Sequence, residues 1–264
     1  MGILNVTPDS FSDGGRYDAL DAAIARAETL AAEGAALIDV GGESTRPGAD
    51  PVPLDVELQR VIPVIRTLAS RLPRLPVSVD TTKAEVARMA LEEGASLVND
   101  VSALGDPWMP AVLRDHDVPI VLMHRRGDPR TMQIRPTYGD VVAEILAFFE
   151  ERLAFAAAQG LRRERFLLDP GIGFGKTTDH NLEILRRLPE FHRLGLPVVV
   201  GLSRKSFLGR ILGGENTPAS PSERAEGSLA AHLWAADRGA HILRVHEVGP
   251  TAQALRVWRA LART

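Results

Sequence analysis

The sequence contains no cysteine in its 264 residues, which excludes disulfide frameworks, thiol nucleophiles and cysteine-ligated zinc. It also lacks an excess of positive charge. The formal net charge is -3, so the chain has no electrostatic means of holding a nucleic acid. No stretch of about 18 apolar residues is available to cross a membrane, and the N-terminus lacks the basic start and apolar core of a signal peptide. These absences predict a cytoplasmic protein that binds neither nucleic acid nor a membrane.

Lysine is scarce as well. Of the 31 basic residues only three are lysines, Lys83, Lys176 and Lys205, and the others are arginines. A compact ammonium group and a planar guanidinium group are not interchangeable, so we expect lysine to be retained mainly where arginine cannot replace it. All three lysines follow predicted strands, and Lys205 is the one we expect to bind a ligand.

The residues that are present favour one globular domain, with 45% hydrophobic and 25% charged content. Eight short aliphatic runs alternate with longer helical patterns, which is typical of parallel strands joined by helices. Division of the chain into eight strand–helix units gives about 33 residues per unit, which is enough for one strand, one helix and their loops. We therefore predict a single-domain α/β protein, a (β/α)8 TIM barrel over residues 1–264. The predicted strands are residues 3–6, 37–40, 77–80, 97–100, 120–123, 166–169, 198–201 and 242–246.

Helical patterns lie between these strands, and a further one begins near Phe207. They cover residues 18–33, 56–72, 83–93, 110–115, 138–159, 181–188, 222–238 and 251–263. Three of the helices are predicted to end at glycines, Gly34, Gly94 and Gly239, each followed by alanine. The sixth residue counted from each glycine is polar, namely Asp39, Asn99 and Arg244. This weak internal repeat places three polar residues at the same point of three strands.

Polar residues cluster at the predicted C-terminal ends of the strands, where the active sites of (β/α)8 barrels lie. Two carboxylates and an amide, Asp80, Asp169 and Asn99, suit a heterocycle that carries N–H donors and a carbonyl group. The alternative is a structural hydrogen-bond network that closes the barrel. The polar residues at these strand ends are Asn5, Asp39, Asp80, Asn99, Asp100, His124, Asp169, Ser203, Lys205, Arg244 and His246.

A glycine-rich segment, residues 169–177, follows the sixth predicted strand. It is not a P-loop, because Pro170 stands where that motif needs its first glycine. It is not a dinucleotide-binding loop either, because Lys176 occupies the position of the last glycine. The remaining interpretation is a tight loop whose glycines let a flat ligand approach the backbone.

The segment after the seventh strand contains Ser203 and Lys205 and leads into a helix, a common place for an anion site in such barrels. Arg244 and His246 alternate at the end of the eighth strand, and a guanidinium group with an imidazole suits phosphate or pyrophosphate. The alternatives are solvated surface charges and a buried core histidine. The signal for a metal is weak, since no zinc-hydrolase motif is present, and coordination of Mg²⁺ by Asn5 together with substrate phosphates stays open.

Eight segments together resemble the dihydropteroate synthase family of pterin-binding barrels. In order along the chain they are GILNVTPDSFSDG at 2–14, DVGGESTRPG at 39–48, VDT at 79–81, NDV at 99–101, LMH at 122–124, DPGIGF at 169–174, SRKS at 203–206 and RVH at 244–246. The resemblance implies condensation of 6-hydroxymethyl-7,8-dihydropterin pyrophosphate with para-aminobenzoate, which gives 7,8-dihydropteroate and pyrophosphate. It also implies Mg²⁺ as the cofactor and a homodimer.

Transferred residue by residue, the resemblance implies a complete site. The catalytic group comprises Asp80, Asp169, Lys205 and Asp13, and the Mg²⁺ ligand is Asn5, helped by Asp13. The pterin pocket comprises Asp80, Asn99, Met123, Asp169, Phe174 and Lys205. The pyrophosphate contacts are Arg46, Arg244 and His246. The para-aminobenzoate pocket comprises Phe11, Thr45, Pro47 and Ser206, and the remaining substrate contacts are Gly201 and Ser203.

Two other functions stay open at this point. A methyltetrahydrofolate-binding methyltransferase domain shares the pterin pocket on a similar barrel but needs no pyrophosphate site, so Arg46, Arg244 and His246 argue against it. A catalytically inactive homologue that only binds pterin would keep the same motifs. The intact set of polar residues argues against that function, although a fold with its motifs does not by itself establish activity.

Overall fold

The computed structural model describes residues 1–7, 16–44, 48–128 and 130–262. Within them, eight short strands alternate with helices, as the sequence predicts. The strands are β1 (Gly2–Asn5), β2 (Ile38–Gly41), β3 (Val77–Asp80), β4 (Leu97–Asp100), β5 (Ile120–Met123), β6 (Phe166–Asp169), β7 (Val199–Gly201) and β8 (Ile242–Arg244).

Nine α-helices connect or follow these strands in the described ranges. They are α1 (Arg16–Ala32), α2 (Leu54–Arg71), α3 (Ala84–Glu92), α4 (Met109–Asp115), α5 (Val141–Ala158), α6 (Thr178–Arg186), α7 (Ser206–Gly213), α8 (Ala225–Asp237) and α9 (Val248–Ala262). Two helices begin away from their predicted positions because of caps. Asp140 accepts hydrogen bonds from two N–H groups in the first turn of α5, and Thr177 forms a capping box with His180 at α6.

The eight strands form a closed parallel ring. β1 to β6 pair in sequence order, and β7 pairs with β8. The two groups meet at both seams, where Gly2 pairs with Val245 and Leu168 pairs with Val198. Backbone hydrogen bonds of 2.9 Å, from the N–H of Ile3 to Val245 and from the N–H of Leu168 to Pro197, support these seams. The predicted (β/α)8 barrel is therefore confirmed.

Side chains alternate between the two faces of the barrel wall, and this alternation positions the site. The outward residues of the strands pack with the helices in the main apolar core. Inside the barrel a smaller apolar cluster includes Leu97, Val121 and Leu167. Because a residue two positions along a strand returns to the same face, Asn99 and Asp169 also point into the barrel, nearer its C-terminal mouth. The interior is thus apolar at one end and polar at the other.

None of the helices in the described ranges is both long and apolar enough to cross a bilayer.

Candidate active site

A buried charge network crosses the interior of the barrel near its mouth. The Arg244 guanidinium donates from Nε to Asp39 Oδ2 and from Nη2 to Asp80 Oδ2, each at 2.6 Å. The Asn99 amide donates to the same Asp39 oxygen at 3.0 Å. Strands β2, β3, β4 and β8 therefore contribute to one cluster, although the paired residues lie up to 205 positions apart.

Asp39 is a member of this site to which the sequence analysis gave no role. It is fully buried and connects Asn99 with Arg244. The internal repeat carried the signal for this connection, because it places these three polar residues at the same point of three strands. In a closed barrel, equivalent inward positions converge on the axis, so the repeat predicts contact.

Acceptor atoms in this cluster remain without a partner. Asp39 Oδ1, Asp80 Oδ1 and Ser78 Oγ are buried and have no hydrogen-bond partner among the described residues. A buried polar atom left unsatisfied costs about 1–3 kcal/mol, so these atoms would gain from a ligand that brings donors. The arrangement therefore suits a ligand with several N–H groups.

Burial shifts the pKa values of the carboxyl groups. Desolvation raises the pKa of Asp80 to about 7, even though the nearby Arg244 acts in the opposite direction. Desolvation also raises the pKa of Asp169, against a backbone hydrogen bond from Gly171 and the charge of Lys205. Two carboxyl groups at the mouth are thus held nearer to protonation than ordinary aspartates, as is common at functional sites.

Asp169 ends β6 and starts the glycine-rich loop. Its Oδ1 accepts a hydrogen bond from the Gly171 N–H at 2.7 Å. In the strand register Asp169 pairs with Met123, which is also buried. The two residues that the resemblance assigns to one pocket therefore lie side by side at the mouth.

Lys205 contacts the same loop from the segment that follows β7, the strand next to β6. Its ammonium donates to the Ile172 carbonyl oxygen at 2.7 Å and lies 4.1 Å from the centroid of the Phe174 ring. This distance allows a cation–π interaction. Lys205 and Phe174, predicted to share the pterin pocket, are therefore in contact.

Ser203 and His246 form a second polar group beside the mouth. The Ser203 hydroxyl donates to Glu247 Oε2 at 3.0 Å and lies 2.9 Å from His246 Nδ1. Arg204 donates from Nε to the other oxygen of the Glu247 carboxylate at 2.7 Å. Sequence reasoning missed Glu247, and its only signal was its position directly after His246.

The other predicted residues are distributed as follows. Gly201 pairs with Arg244 across β7 and β8, and a Cβ placed on it would lie 3.7 Å from the Arg244 Cβ. Asn5 is half-buried at the C-terminal end of β1, and Ser206 is exposed at the start of α7. Five predicted residues lie outside the described ranges, and their roles stay predictions: Phe11, Asp13, Thr45, Arg46 and Pro47.

Two of the polar strand-end residues do not face the barrel interior. Asp100 accepts hydrogen bonds from Ser102 and from the Leu104 N–H, so it stabilises the turn after β4. His124 packs edge-on against Phe148, with ring centroids 4.9 Å apart. Side chains alternate between the two faces of a strand. Asp100 and His124 each directly follow an inward-facing residue, so they point away from the barrel interior.

The glycine-rich loop also differs from its predicted use. Gly171 and Gly175 adopt φ values of +66° and +65°, and a Cβ on either would overlap a carbonyl oxygen of the segment after β5. Glycine is therefore needed at these positions because two backbone segments approach each other closely, whereas the sequence suggested that the glycines let a ligand approach the backbone.

Comparison with known proteins agrees with this geometry. Residues 1–246 match the family model described as pterin binding enzyme. A dihydropteroate synthase of Synechocystis sp. is 50% identical over 264 residues, which are 100% of this chain and 90% of that protein. Two solved structures of the Xanthomonas albilineans dihydropteroate synthase each cover 100% of this chain and 93% of their own. The structure with 4-aminobenzoic acid has a TM-score of 0.92 at 51% identity, and the complex with 7,8-dihydropteroate has 0.88 at 47%. The chain therefore belongs to the pterin binding enzyme family, together with the dihydropteroate synthases.

Proposed function

We propose that the chain condenses 6-hydroxymethyl-7,8-dihydropterin pyrophosphate with para-aminobenzoate, forming 7,8-dihydropteroate and releasing pyrophosphate. The observation that carries the proposal is the set of buried, unpartnered acceptor atoms at the barrel mouth, on Asp39 and Asp80. A pterin ring presents several N–H donors along one edge, which these acceptors complement. Membership of the pterin binding enzyme family supports the same reaction.

The pterin is proposed to bind among Asp80, Asn99 and Asp169. The two carboxylates accept hydrogen bonds from ring N–H groups, and the amide of Asn99 offers a donor and an acceptor. Met123 and Phe174 supply apolar surface for the ring. All of these residues except Phe174 are buried, so the ligand exchanges bulk water for fixed polar groups.

The reaction breaks the carbon–oxygen bond between the pterin methylene and the diphosphate, and the bond electrons leave with pyrophosphate. Positive charge develops on the pterin, where Asp80 and Asp169 stabilise it electrostatically. The amine nitrogen of para-aminobenzoate then forms the new bond to the methylene and loses a proton. No protein nucleophile is required, because the leaving group is already activated.

Cationic groups are proposed to hold the leaving diphosphate. Lys205 and His246 lie on the rim, and Arg46 would contribute from the loop after β2. Arg244 is bonded to two carboxylates, so its predicted contact with pyrophosphate stays a proposal that needs a change of partner. The para-aminobenzoate pocket is proposed to comprise Ser206 at the start of α7 together with the predicted loop residues Phe11, Thr45 and Pro47.

The chemistry of the available donors fits Mg²⁺. Mg²⁺ prefers oxygen ligands and commonly takes only one or two from the protein, with substrate phosphates and waters completing its coordination. Asn5 offers an amide oxygen at the mouth, and Asp13 would add a carboxylate. No group of three His, Asp or Glu side chains in the described part of the chain could hold a metal by itself, which agrees with a site completed by substrate. When bound, Mg²⁺ neutralises negative charge on the leaving diphosphate.

Removal of Mg²⁺ is expected to abolish turnover while leaving pterin binding intact. In the presence of EDTA we expect no product, and Asn5→Ala should need about tenfold more Mg²⁺ for half-maximal activity. The internal control is 6-hydroxymethylpterin, which carries no phosphate and whose affinity should be the same with and without EDTA. Full turnover in EDTA, measured by pyrophosphate release, would contradict the Mg²⁺ proposal.

Pterin binding is expected to weaken about tenfold between pH 7.5 and pH 6. The raised pKa of Asp80, about 7, means that its carboxylate is mostly ionised at the higher pH and mostly protonated at the lower. Protonation replaces an acceptor with a donor that faces the N–H groups of the ring. Fluorescence titration with 6-hydroxymethylpterin measures the affinity, and Asp80→Asn, which cannot titrate, should bind weakly with a flat profile. An equal wild-type affinity at both pH values would be the contrary result.

A homodimer is also proposed, and exposed apolar side chains on the last three helices support it. The five largest of these are Ile211, Leu212, Trp234, Val257 and Leu261. Clusters of exposed large apolar residues are typical of surfaces that bind another protein. The cytoplasmic location stays a prediction.

The test of the proposed binding function is a titration of the purified chain with 6-hydroxymethylpterin, followed by the fluorescence of the ligand. We expect saturable binding of one pterin per chain, displaced by the dihydropterin pyrophosphate. Absence of saturable binding would overturn the proposed function.

A further inference from the structure

Lys176 is one of the most deeply buried side chains of the molecule, with 1% of its surface exposed. Its ammonium nitrogen has three close partners. The carbonyl oxygens of Gly171 and Phe174 lie at 2.9 and 3.0 Å, and His124 Nδ1 lies at 2.9 Å. An ammonium group has three N–H bonds, so these partners satisfy it completely.

The pKa values of both side chains are shifted by their burial. Burial and the charge of Lys176 lower the pKa of His124 to about 2, so its imidazole is neutral and Nδ1 can accept a hydrogen bond. Burial also lowers the pKa of Lys176 well below its usual value. The contacts therefore offset a high desolvation cost, which a purely apolar residue would not incur.

The two carbonyl partners of Lys176 belong to the glycine-rich loop between β6 and α6. Every carbonyl oxygen from residue 171 to residue 175 accepts a hydrogen bond from a side chain, either of Lys176 at the end of the loop or of a residue elsewhere in the fold. Lys176 binds the first and fourth, Lys205 the second, Gln133 the third and Tyr138 the fifth. The loop is therefore held in one conformation by side chains rather than by regular secondary structure.

This conformation determines the surroundings of Lys205. The Lys205 ammonium contacts the Ile172 carbonyl and the Phe174 ring. Ile172 lies between the two residues whose carbonyls Lys176 binds, and Phe174 is one of those residues. The loop glycines have left-handed φ values and cannot fix this shape by themselves, because glycine is the least restricted residue. Hydrogen bonds to its carbonyls, together with the burial of the Ile172 side chain in the apolar core, hold the loop.

We propose that Lys176 is a positioning residue for the pterin site: its buried ammonium fixes the loop that places Phe174 and the Ile172 carbonyl against Lys205. The proposal rests on the proposed function, since it concerns the same pocket. Lys176 does not touch the ligand in this account. Its loss would leave the buried Phe174 carbonyl without a donor and the Gly171 carbonyl with only the backbone N–H of Phe174, at 3.1 Å, and the loop would rearrange to satisfy them.

The decisive variant is Lys176→Met, which keeps an unbranched side chain one atom shorter than lysine and removes the donors. We expect its affinity for 6-hydroxymethylpterin to fall at least tenfold. In turnover, the KM for dihydropterin pyrophosphate should rise about tenfold, whereas the KM for para-aminobenzoate should change less than twofold. This split separates a positioning role from a general loss of stability, which would lower the active fraction and leave both KM values unchanged.

Leu185→Ala is the matched control. Leu185 is buried in α6, the helix that follows the loop, and has no place in the proposed site. Its truncation destabilises the same part of the fold through a cavity. We expect a lower melting temperature with unchanged pterin affinity, measured below the melting transition of each variant.

A second pair of variants serves if Lys176→Met does not fold. His124→Asn keeps an acceptor near the position of Nδ1, and His124→Leu removes it. We expect near wild-type pterin affinity for the asparagine variant and a loss of at least threefold for the leucine variant. Equal affinities in this pair, or an unchanged affinity in Lys176→Met, would overturn the positioning role while wild-type binding still upheld the proposed function. No binding by the wild type would instead overturn the proposed function, and the inference with it.

Discussion

Replacing Asp169 with asparagine is expected to reduce pterin affinity at least 100-fold and to abolish measurable turnover. The Gly171 N–H occupies Oδ1, which leaves Oδ2 as the acceptor proposed for the ring. Asparagine retains one acceptor oxygen for Gly171 and presents an NH2 group in place of the second. A donor would then face the N–H donors of the pterin, and a charge-assisted hydrogen bond, which contributes about 1.5–3 kcal/mol, would become a repulsive contact.

Asp179→Asn is the matched control for this experiment. It makes the same chemical change ten residues later, at an exposed position in the first turn of α6. Fluorescence titration with 6-hydroxymethylpterin should show wild-type affinity for Asp179→Asn and almost none for Asp169→Asn. Equal affinity of the two variants would refute the placement of the pterin on Asp169.

Replacing Arg244 with methionine is expected to destabilise the fold by about 3–5 kcal/mol and to eliminate pterin binding. Within the described ranges Arg244 forms the ion pairs of both Asp39 and Asp80, and Asp39 is fully buried. Removing one partner of a buried ion pair leaves an uncompensated charge, which costs far more than the pair contributes when intact. The two carboxylates would also repel each other across the pterin site.

Chemical denaturation measures this loss, and Arg66→Ala is the control. Arg66 forms a bidentate pair with Glu93 at the surface, where solvent screens the charges and such pairs contribute little to stability. The double variant Arg244→Met with Asp39→Asn should recover part of the stability, because it removes one of the unpaired charges. A loss below about 1 kcal/mol in Arg244→Met would contradict the buried network.

Much of the fold could be predicted from the sequence because the signal is local. Strands β3, β4, β5 and β6 have the predicted bounds, since apolar runs of this length between helices leave few alternatives. The predicted eighth strand extends to residue 246, but β8 ends at Arg244. The strand ends early because the His246 N–H donates to the side-chain hydroxyl of Ser203 instead of to the backbone of a neighbouring strand.

The partners of the site residues were harder to predict, because they depend on distant strands. The alternation in β8 placed Arg244 and His246 on one face and suggested a shared anion, yet Arg244 pairs with carboxylates on β2 and β3. Sequence spacing determines which face a residue occupies but not which neighbour it meets. The same limit applies to Lys176. The sequence shows that lysine is scarce, but it does not show which three groups contact the Lys176 ammonium.

The proposed reaction is tested most directly by mixing the purified chain with dihydropterin pyrophosphate, para-aminobenzoate and Mg²⁺ and measuring both products. We expect equal amounts of pyrophosphate and 7,8-dihydropteroate, and neither product when Mg²⁺ is omitted. Retained pterin binding without either product would contradict the proposed reaction and would indicate a protein that binds pterin for another purpose.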